Sequence, residues 1–375
     1  MDLNMKILQV GKFYPIRGGV EKVMYDLMLG LAERQIHCDM LCATTEDHPG
    51  GVIKLNAYSR VIALKTRVKL AATMIAPSLA LRLRRIAKDY DIIHIHHPDP
   101  MACLALYLSG YKGKVVLHWH SDILKQKMLL KVYDPLQNWL IKRADIVVGT
   151  TPVYVRESSF LNKVQHKVDY IPIGVQPVLS NQKDVKQLRE RYKNKKLIFS
   201  LGRLVEYKGH EYLIESMSYL SDDYQLLIGG KGPLEEELTG LIKRLGVQGR
   251  VELLGYIADE DVPAYYTACD VFCLTSTMKT EAFAIVQIEA MSCGKPIIST
   301  KIRGSGVSWV NAEGESGLCV EIRDAKAVAD AIELVTNDEE QYKQLCKGSL
   351  SRYQTLFTRD KMVDRSLEIY KRVQG

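Results

Sequence analysis

The sequence predicts two α/β domains in tandem, each a parallel sheet covered by helices on both faces. Three observations carry this. Short β runs alternate with helical patterns in two successive series along the chain. The runs are four to six apolar residues rich in β-branched side chains, as strands buried on both faces are. At 375 residues the chain exceeds one ordinary core and fits two domains of about 150–200 residues each.

Taken in order, the first series predicts strands at 5–10 (MKILQV), 37–43, 91–96, 114–120, 144–150 and 167–173, with a first helix over 20–34. The second predicts strands at 196–202, 224–230, 250–256, 271–276, 296–301 and 317–322. Between them, 172–196 carries Pro172 and Pro177 before a polar helical stretch, which suits a hinge near 178. An amphipathic helix over 360–374 follows the last strand. The expected division is 1–178, 179–358 and a terminal helix within 359–375, with Rossmann-like topology in each domain. Ligands in such sheets bind beyond the carboxyl ends of the strands. With the two domains facing each other, that rule puts the site in an inter-domain cleft.

Composition narrows the class. Hydrophobic content of 47% and charged content of 25% are those of a soluble globular protein. No run reaches about 18 apolar residues, so no membrane-crossing helix is expected. The N-terminal apolar run is short and strand-like, unlike a signal peptide. The eight cysteines form no CxxC pair or metal-ligand spacing and read as reduced thiols of a cytoplasmic protein. Charge is uneven: residues 1–178 hold 24 Lys+Arg against 15 Asp+Glu (+9), the remainder 27 against 29 (−2). A basic half could meet nucleic acid, anionic lipid or a phosphorylated substrate, or be a solubilising bias.

Every strong motif follows a strand. In GKFYPIRGGVEKV, Gly18 and Gly19 precede a helix whose free N–H groups could receive a phosphate, although a glycine turn needs the same residues. The spacing is not GxGxxG, which argues against a dehydrogenase. Arg203 and Lys208 in GRLVEYKG can neutralise a diphosphate without a metal ion. The glycines of GGKGP, with Gly230 and Lys231, allow close backbone approach to a nucleotide or make a plain βα turn. In KTEAFAIVQIEA, amides from Phe283, Ala284 and Ile285 to Val286 could face a phosphate. Glu289, two turns into the predicted helix, could accept from a ribose diol, and Glu281 at its mouth from a second sugar. The alternative is one dipole carboxylate and one satisfied core glutamate.

Histidines need weighing too. Alternation places His94 and His96 on one face, but no nearby carboxylate or cysteine completes a metal site, so no metal is expected. Asp259, Glu260 and Asp261 resemble a metal-binding DxD but read as a helix start. His120 ends a strand and is followed by Ser121 and Asp122, which could orient it for a hydrogen-bonding role; the alternative is a packed, satisfied histidine.

In combination these pieces resemble the retaining GT-B-fold glycosyltransferases of glycosyltransferase family 4. They are RGGVE at 17–21, HSD at 120–122, GRLVEYKG at 202–209, GGKGP at 229–233, Glu281 with Glu289, and the continuation from Met291 to Val320. The resemblance implies a nucleotide-sugar donor, its diphosphate on Arg203 and Lys208, its ribose on Glu289 and its sugar against Glu281. Gly19 would approach the phosphates and His120 the transferred sugar. The terminal helix would cross back onto the N-terminal domain. The implied mechanism is front-face displacement without a metal. Ala284 departs from the family's usual glycine, which bears on sugar choice.

The segment 279–311 looks most like bacterial mannosyl- and rhamnosyltransferases of surface polysaccharide assembly, making GDP-mannose the first donor and UDP-hexoses the second. Two basic segments, 64–88 and 125–143, look like a surface for anionic membrane or a lipid-linked saccharide acceptor, or are solvated helix faces. The expectation is a peripheral enzyme on the inner face of the cytoplasmic membrane. A nucleotide-sugar epimerase is the rival enzyme. A nucleic-acid binder would not need paired glutamates in a cleft, so no nucleic acid is expected.

Overall fold

A computed structural model describes residues 5–70, 73–123 and 127–375. Contacts divide the chain into two units: residues up to Gly174 together with Arg359–Gly375, and Val175–Thr358.

The N-terminal unit contains Lys6–Tyr14 (β1), His37–Thr44 (β2), Gly51–Lys54 (β3), Arg60–Leu64 (β4), Val68–Leu70 (β5), Thr73–Ile75 (β6), Ile92–His97 (β7), Lys114–Trp119 (β8), Ile146–Gly149 (β9) and Val168–Tyr170 (β10). Eight of them form one sheet in the order β10-β9-β8-β7-β1-β2-β4-β3, parallel except for β3. The six strands expected here all form. Four were missed: β3 and β4, and the separate antiparallel hairpin β5–β6. The hairpin falls in the basic segment 64–88, and its strands span three residues each, too few to show a period.

Helix Gly19–Glu33 buries Val23, Met24, Leu27, Met28 and Leu31. The terminal helix Arg359–Gln374 packs beside it in the same unit. Arg359 pairs with Glu33, Arg34 with Asp364, and the Tyr370 hydroxyl lies 2.7 Å from His94 Nδ1.

The second unit holds Lys196–Leu201 (β11), Tyr224–Gly229 (β12), Val251–Gly255 (β13), Val271–Leu274 (β14), Ile297–Thr300 (β15) and Gly317–Val320 (β16). All six are parallel, in the order β13-β12-β11-β14-β15-β16, and all six were expected. Ile198, Leu226, Ile228, Val271, Cys273 and Ile298 are fully buried in its core, as strands covered on both faces should be.

Both sheets have a point where strand order reverses. In the first it lies between β1 and β7, in the second between β11 and β14. Loops leaving the carboxyl ends of those strand pairs diverge and leave room for a ligand.

Candidate functional site

The reversal in the second sheet is built by the loops after β11 and β14. Gly209 has φ +63°, and a Cβ there would lie 2.2 Å from the Thr275 carbonyl oxygen. The Thr275 hydroxyl in turn donates to the Gly209 carbonyl at 2.9 Å. This close approach brings Lys208 to Glu281, with Nζ 2.5 Å from Oε2 and side-chain exposures of 11% and 10%. The Ser276 hydroxyl donates to the same carboxylate oxygen at 2.9 Å. Glu281 therefore meets a cation from a loop 73 residues away. Arg203, the other expected cation, is exposed, with one guanidinium nitrogen 3.4 Å from the Tyr207 hydroxyl.

The backbone beyond Glu281 is clamped. The Ser305 hydroxyl donates to the Glu281 carbonyl, and Gly306 N–H to the Ala282 carbonyl at 2.9 Å. Helix Ile285–Ser292 then starts from Ala284, which sits in the left-handed region at φ 63°, ψ 79°. The amides of Ile285 and Val286 lie in the first turn, where a helix offers no internal acceptor. Phe283 is buried, and its carbonyl accepts from Gln287 Nε2 at 3.1 Å.

Ala284 explains what the missing glycine does: its methyl group forces a side chain into a conformation that glycine adopts freely. We expect Ala284→Gly to raise stability by roughly 0.5–1 kcal/mol, since an L-residue held at positive φ carries about that strain. Urea denaturation checks this, and an unchanged or lower midpoint would count against it.

Glu289 is half-buried, and its Oε2 accepts from the Tyr266 hydroxyl at 2.8 Å. Burial, then the Glu289 charge, pushes the Tyr266 hydroxyl well above its ordinary pKa, so it stays a donor. The GGKGP glycines serve the protein's own packing. A Cβ on Gly230 would sit 1.9 Å from the Gly202 carbonyl oxygen, and one on Gly232 would sit 2.2 Å from that of Leu204. Their small size lets the loops after β11 and β12 nest together, and Lys231 projects into solvent.

The reversal in the first sheet holds a second, half-buried group of charges, Lys12, Asp99 and Glu21, which the sequence reasoning passed over. Lys12, at the irregularity near the end of β1, donates through Nζ to the Pro98 carbonyl at 2.6 Å and through its backbone N–H to Asp99. Asp99 also caps helix Pro100–Ser109 by accepting from Ala102 N–H at 3.0 Å. Burial lowers the Lys12 pKa and raises those of Asp99 and Glu21, with each group's opposite charges partly restoring it. One lysine near a strand end is too common a pattern to single out. Gly19 opens the neighbouring helix, and Glu21 Oε2 lies 3.8 Å from where its Cβ would be.

His120 follows β8 and is 5% exposed. Asp122, expected to orient it, instead accepts from Trp119 Nε1 at 2.8 Å and from the Ser158 hydroxyl at 2.7 Å. The His120 partner is His96, Nδ1 to Nε2 at 2.9 Å. The third group beside His94 and His96 is a histidine, not the carboxylate or cysteine sought in the sequence. β8 brings His118 opposite His96, and ligand atoms of His94, His96 and His118 lie within 4.8 Å of one another. The three rings stack, with interplanar angles of 5–28°, so their in-plane lone pairs run side by side rather than converging on one point. That geometry suits a stacked ladder better than a metal centre. Burial keeps all three neutral, His118 down to about 3. Asp259, Glu260 and Asp261 are exposed at the start of helix Val262–Ala268, as read from sequence.

Of the basic segments, residues 71–72 and 125–126 lie outside the described residues. In the rest, Lys65, Arg67, Lys69, Arg84, Arg85 and Lys88 are exposed together with Val68 and Leu81. Among the described residues no helix is long and apolar enough to cross a membrane.

Two parallel α/β units, each with charged groups at its reversal point, define a GT-B glycosyltransferase. The profile for Glycosyl transferases group 1 matches residues 181–350, and that for Glycosyltransferase Family 4 matches 17–178. The chain belongs to glycosyltransferase family 4. It is 32% identical to the O-antigen chain mannosyltransferase C of Escherichia coli over 98% of both chains. It is 29% identical to the D-rhamnosyltransferase WbpZ of Pseudomonas aeruginosa over 94% of this chain and 92% of that one. Anabaena HepE, solved with UDP, superposes with a TM-score of 0.77 at 21% identity, covering 98% of this chain and all of that one. Sucrose-phosphate synthase from Thermosynechococcus elongatus gives 0.80 at 22% identity, covering 98% and 99%. The last two likenesses are of fold.

Proposed function

We propose that this enzyme is a retaining hexosyltransferase of bacterial surface polysaccharide assembly, moving mannose from GDP-mannose onto a lipid-linked glycan. The observation that carries the donor half is the Lys208–Glu281 pair at a strand-order reversal. In this reading the donor diphosphate lies against Lys208 and the first-turn amides of the 285–292 helix, and Arg203 swings in from solvent. Glu281 then orients the sugar and holds Lys208. Glu289, steadied by Tyr266, takes the ribose diol. Two cations and a helix start carry the diphosphate charge, so no metal is invoked. Charge builds on the leaving diphosphate as the bond to the anomeric carbon loosens, and Lys208 and Arg203 stabilise it there. The departing phosphate accepts the acceptor hydroxyl's proton on the same face, which retains configuration.

The likeness to the O-antigen chain mannosyltransferase C of Escherichia coli supports mannose. A UDP-hexose is the second reading, favoured by the UDP and UDP-glucose recorded with HepE. On the acceptor side, exposed cations beside Val68 and Leu81 suit an anionic membrane surface that presents a lipid diphosphate.

A thermal-shift panel of UDP, GDP, ADP and their common sugars tests the donor. A ligand at a hundred times its Kd stabilises the native state by about 2.7 kcal/mol. GDP and GDP-mannose are expected to raise Tm while the others leave it unmoved. A shift with UDP alone would select the second reading, and no shift with any nucleotide would sink both.

A further inference from the structure

Four histidines line one face of the β7–β8 pair. Register sets His96 beside His118, and alternation brings His94 and His120 to the same face. Ring centroids step from His94 to His96 at 4.4 Å, from His96 to His120 at 5.2 Å and from His118 to His120 at 4.0 Å. Exposure is zero at His94 and His96, 1% at His118 and 5% at His120. Within this ladder the direct ring-to-ring hydrogen bond is His96 Nδ1 to His120 Nε2. His96 Nε2 and His120 Nδ1 have no partner among the described residues.

A hydrogen bond between two neutral imidazoles has two states. If His120 donates, His96 keeps its proton on Nε2, deep in the unit, and His120 keeps a bare lone pair on Nδ1. If His96 donates, the unfilled lone pair stays in the interior and the spare N–H belongs to His120. A buried N–H without an acceptor is among the rarest defects in proteins. His96 is fully buried on a central strand, whereas His120 lies in the loop beyond the strand end. Both free nitrogens are buried, but His120, 5% exposed and just beyond the strand end, lies nearer to where a ligand could meet a donor than His96 at 0%.

We propose that His96 is a positioning residue that holds neutral His120 in its Nδ1–H tautomer, making His120 a hydrogen-bond donor to a sugar or phosphate oxygen. The inference rests on reading His120 as an active-site group. It makes His120 a fixed dipole aimed at developing negative charge, with proton removal left to the leaving phosphate.

Labelling the full chain with 15N-histidine and recording long-range 1H–15N spectra reads the tautomer without substrate. The His120 signals are identified by their loss in His120→Asn. The expected result is a protonated Nδ1 on His120 in the wild type, and its loss in His96→Leu. In the transfer assay, His96→Leu should lower kcat by roughly 10²-fold with little change in KM. His96→Asn, whose amide N–H can still donate to His120 Nε2, should recover much of the loss and also serves if the leucine variant fails to fold. A protonated Nε2 on wild-type His120 would overturn the proposal, as would full turnover in a folded His96→Leu protein. Absence of transfer from any sugar nucleotide would instead remove the catalytic reading, leaving the spectra to decide the tautomer.

Discussion

Lys208→Ala is expected to abolish glycosyl transfer, lowering kcat by about 10²–10³ through the loss of one preorganised cation at the leaving group. It should also destabilise the C-terminal unit by roughly 3–5 kcal/mol, because Glu281 would be left as an unpaired buried charge. Glu281→Ala should act alike for the mirror-image reason. The two effects separate in a double variant. Lys208→Met with Glu281→Leu fills the same space with apolar groups, and replacing both members of a buried pair is often neutral for stability. That protein should unfold at a urea concentration near wild type and still transfer no sugar. Near-wild-type turnover in Lys208→Met alone would sink the assignment of Lys208 to the diphosphate.

These residues were legible in the sequence as candidates, but their relationship was not. KTEAFAIVQIEA shows two carboxylates in apolar surroundings, and burial costs demand partners. It does not show that Glu281 meets Lys208 across 73 residues while Glu289 meets Tyr266 across 23. Those pairings follow from strand order, which puts β11 beside β14 although β12 and β13 intervene in sequence. The same non-local step hid Lys12 with Asp99 across β1 and β7, and His118 beside His96 across β7 and β8. Buried parallel strands announce themselves by apolar runs, so twelve were found. β3 and β4 at one sheet edge and the β5–β6 hairpin span only three to five residues each, too few to show a clear period, and did not. The GGKGP glycines left two readings open in sequence, close approach to a nucleotide or a plain βα turn, and the structure packs Gly230 and Gly232 against the neighbouring loop.

Acid is expected to unfold the N-terminal unit well above the pH at which its carboxylates titrate. His94, His96, His97, His118 and His120 are buried and neutral, with burial as the main cause and neighbouring histidines or Lys12 adding for most. His97 and His118 are held down to about 3. In the unfolded chain each would titrate near the ordinary value of 6.5. Between those limits the unfolded state binds more protons, so stability is complete above about pH 7 and falls as pH drops through 6.5. One unit below, each histidine withdraws about 1.4 kcal/mol, and five together approach the 5–15 kcal/mol that holds a typical domain. Glu21 and Asp99 push the other way, since their raised pKa values let the folded state take up protons. Two such groups do not offset five. Urea midpoints at pH 7.5, 6.5 and 5.5 should therefore fall steeply over the last step. His118→Phe, which fills the ring's place without a titrating nitrogen, should flatten that fall by about one histidine's share. Equal midpoints at pH 7.5 and 5.5 would show that the ladder accepts protons in the folded state.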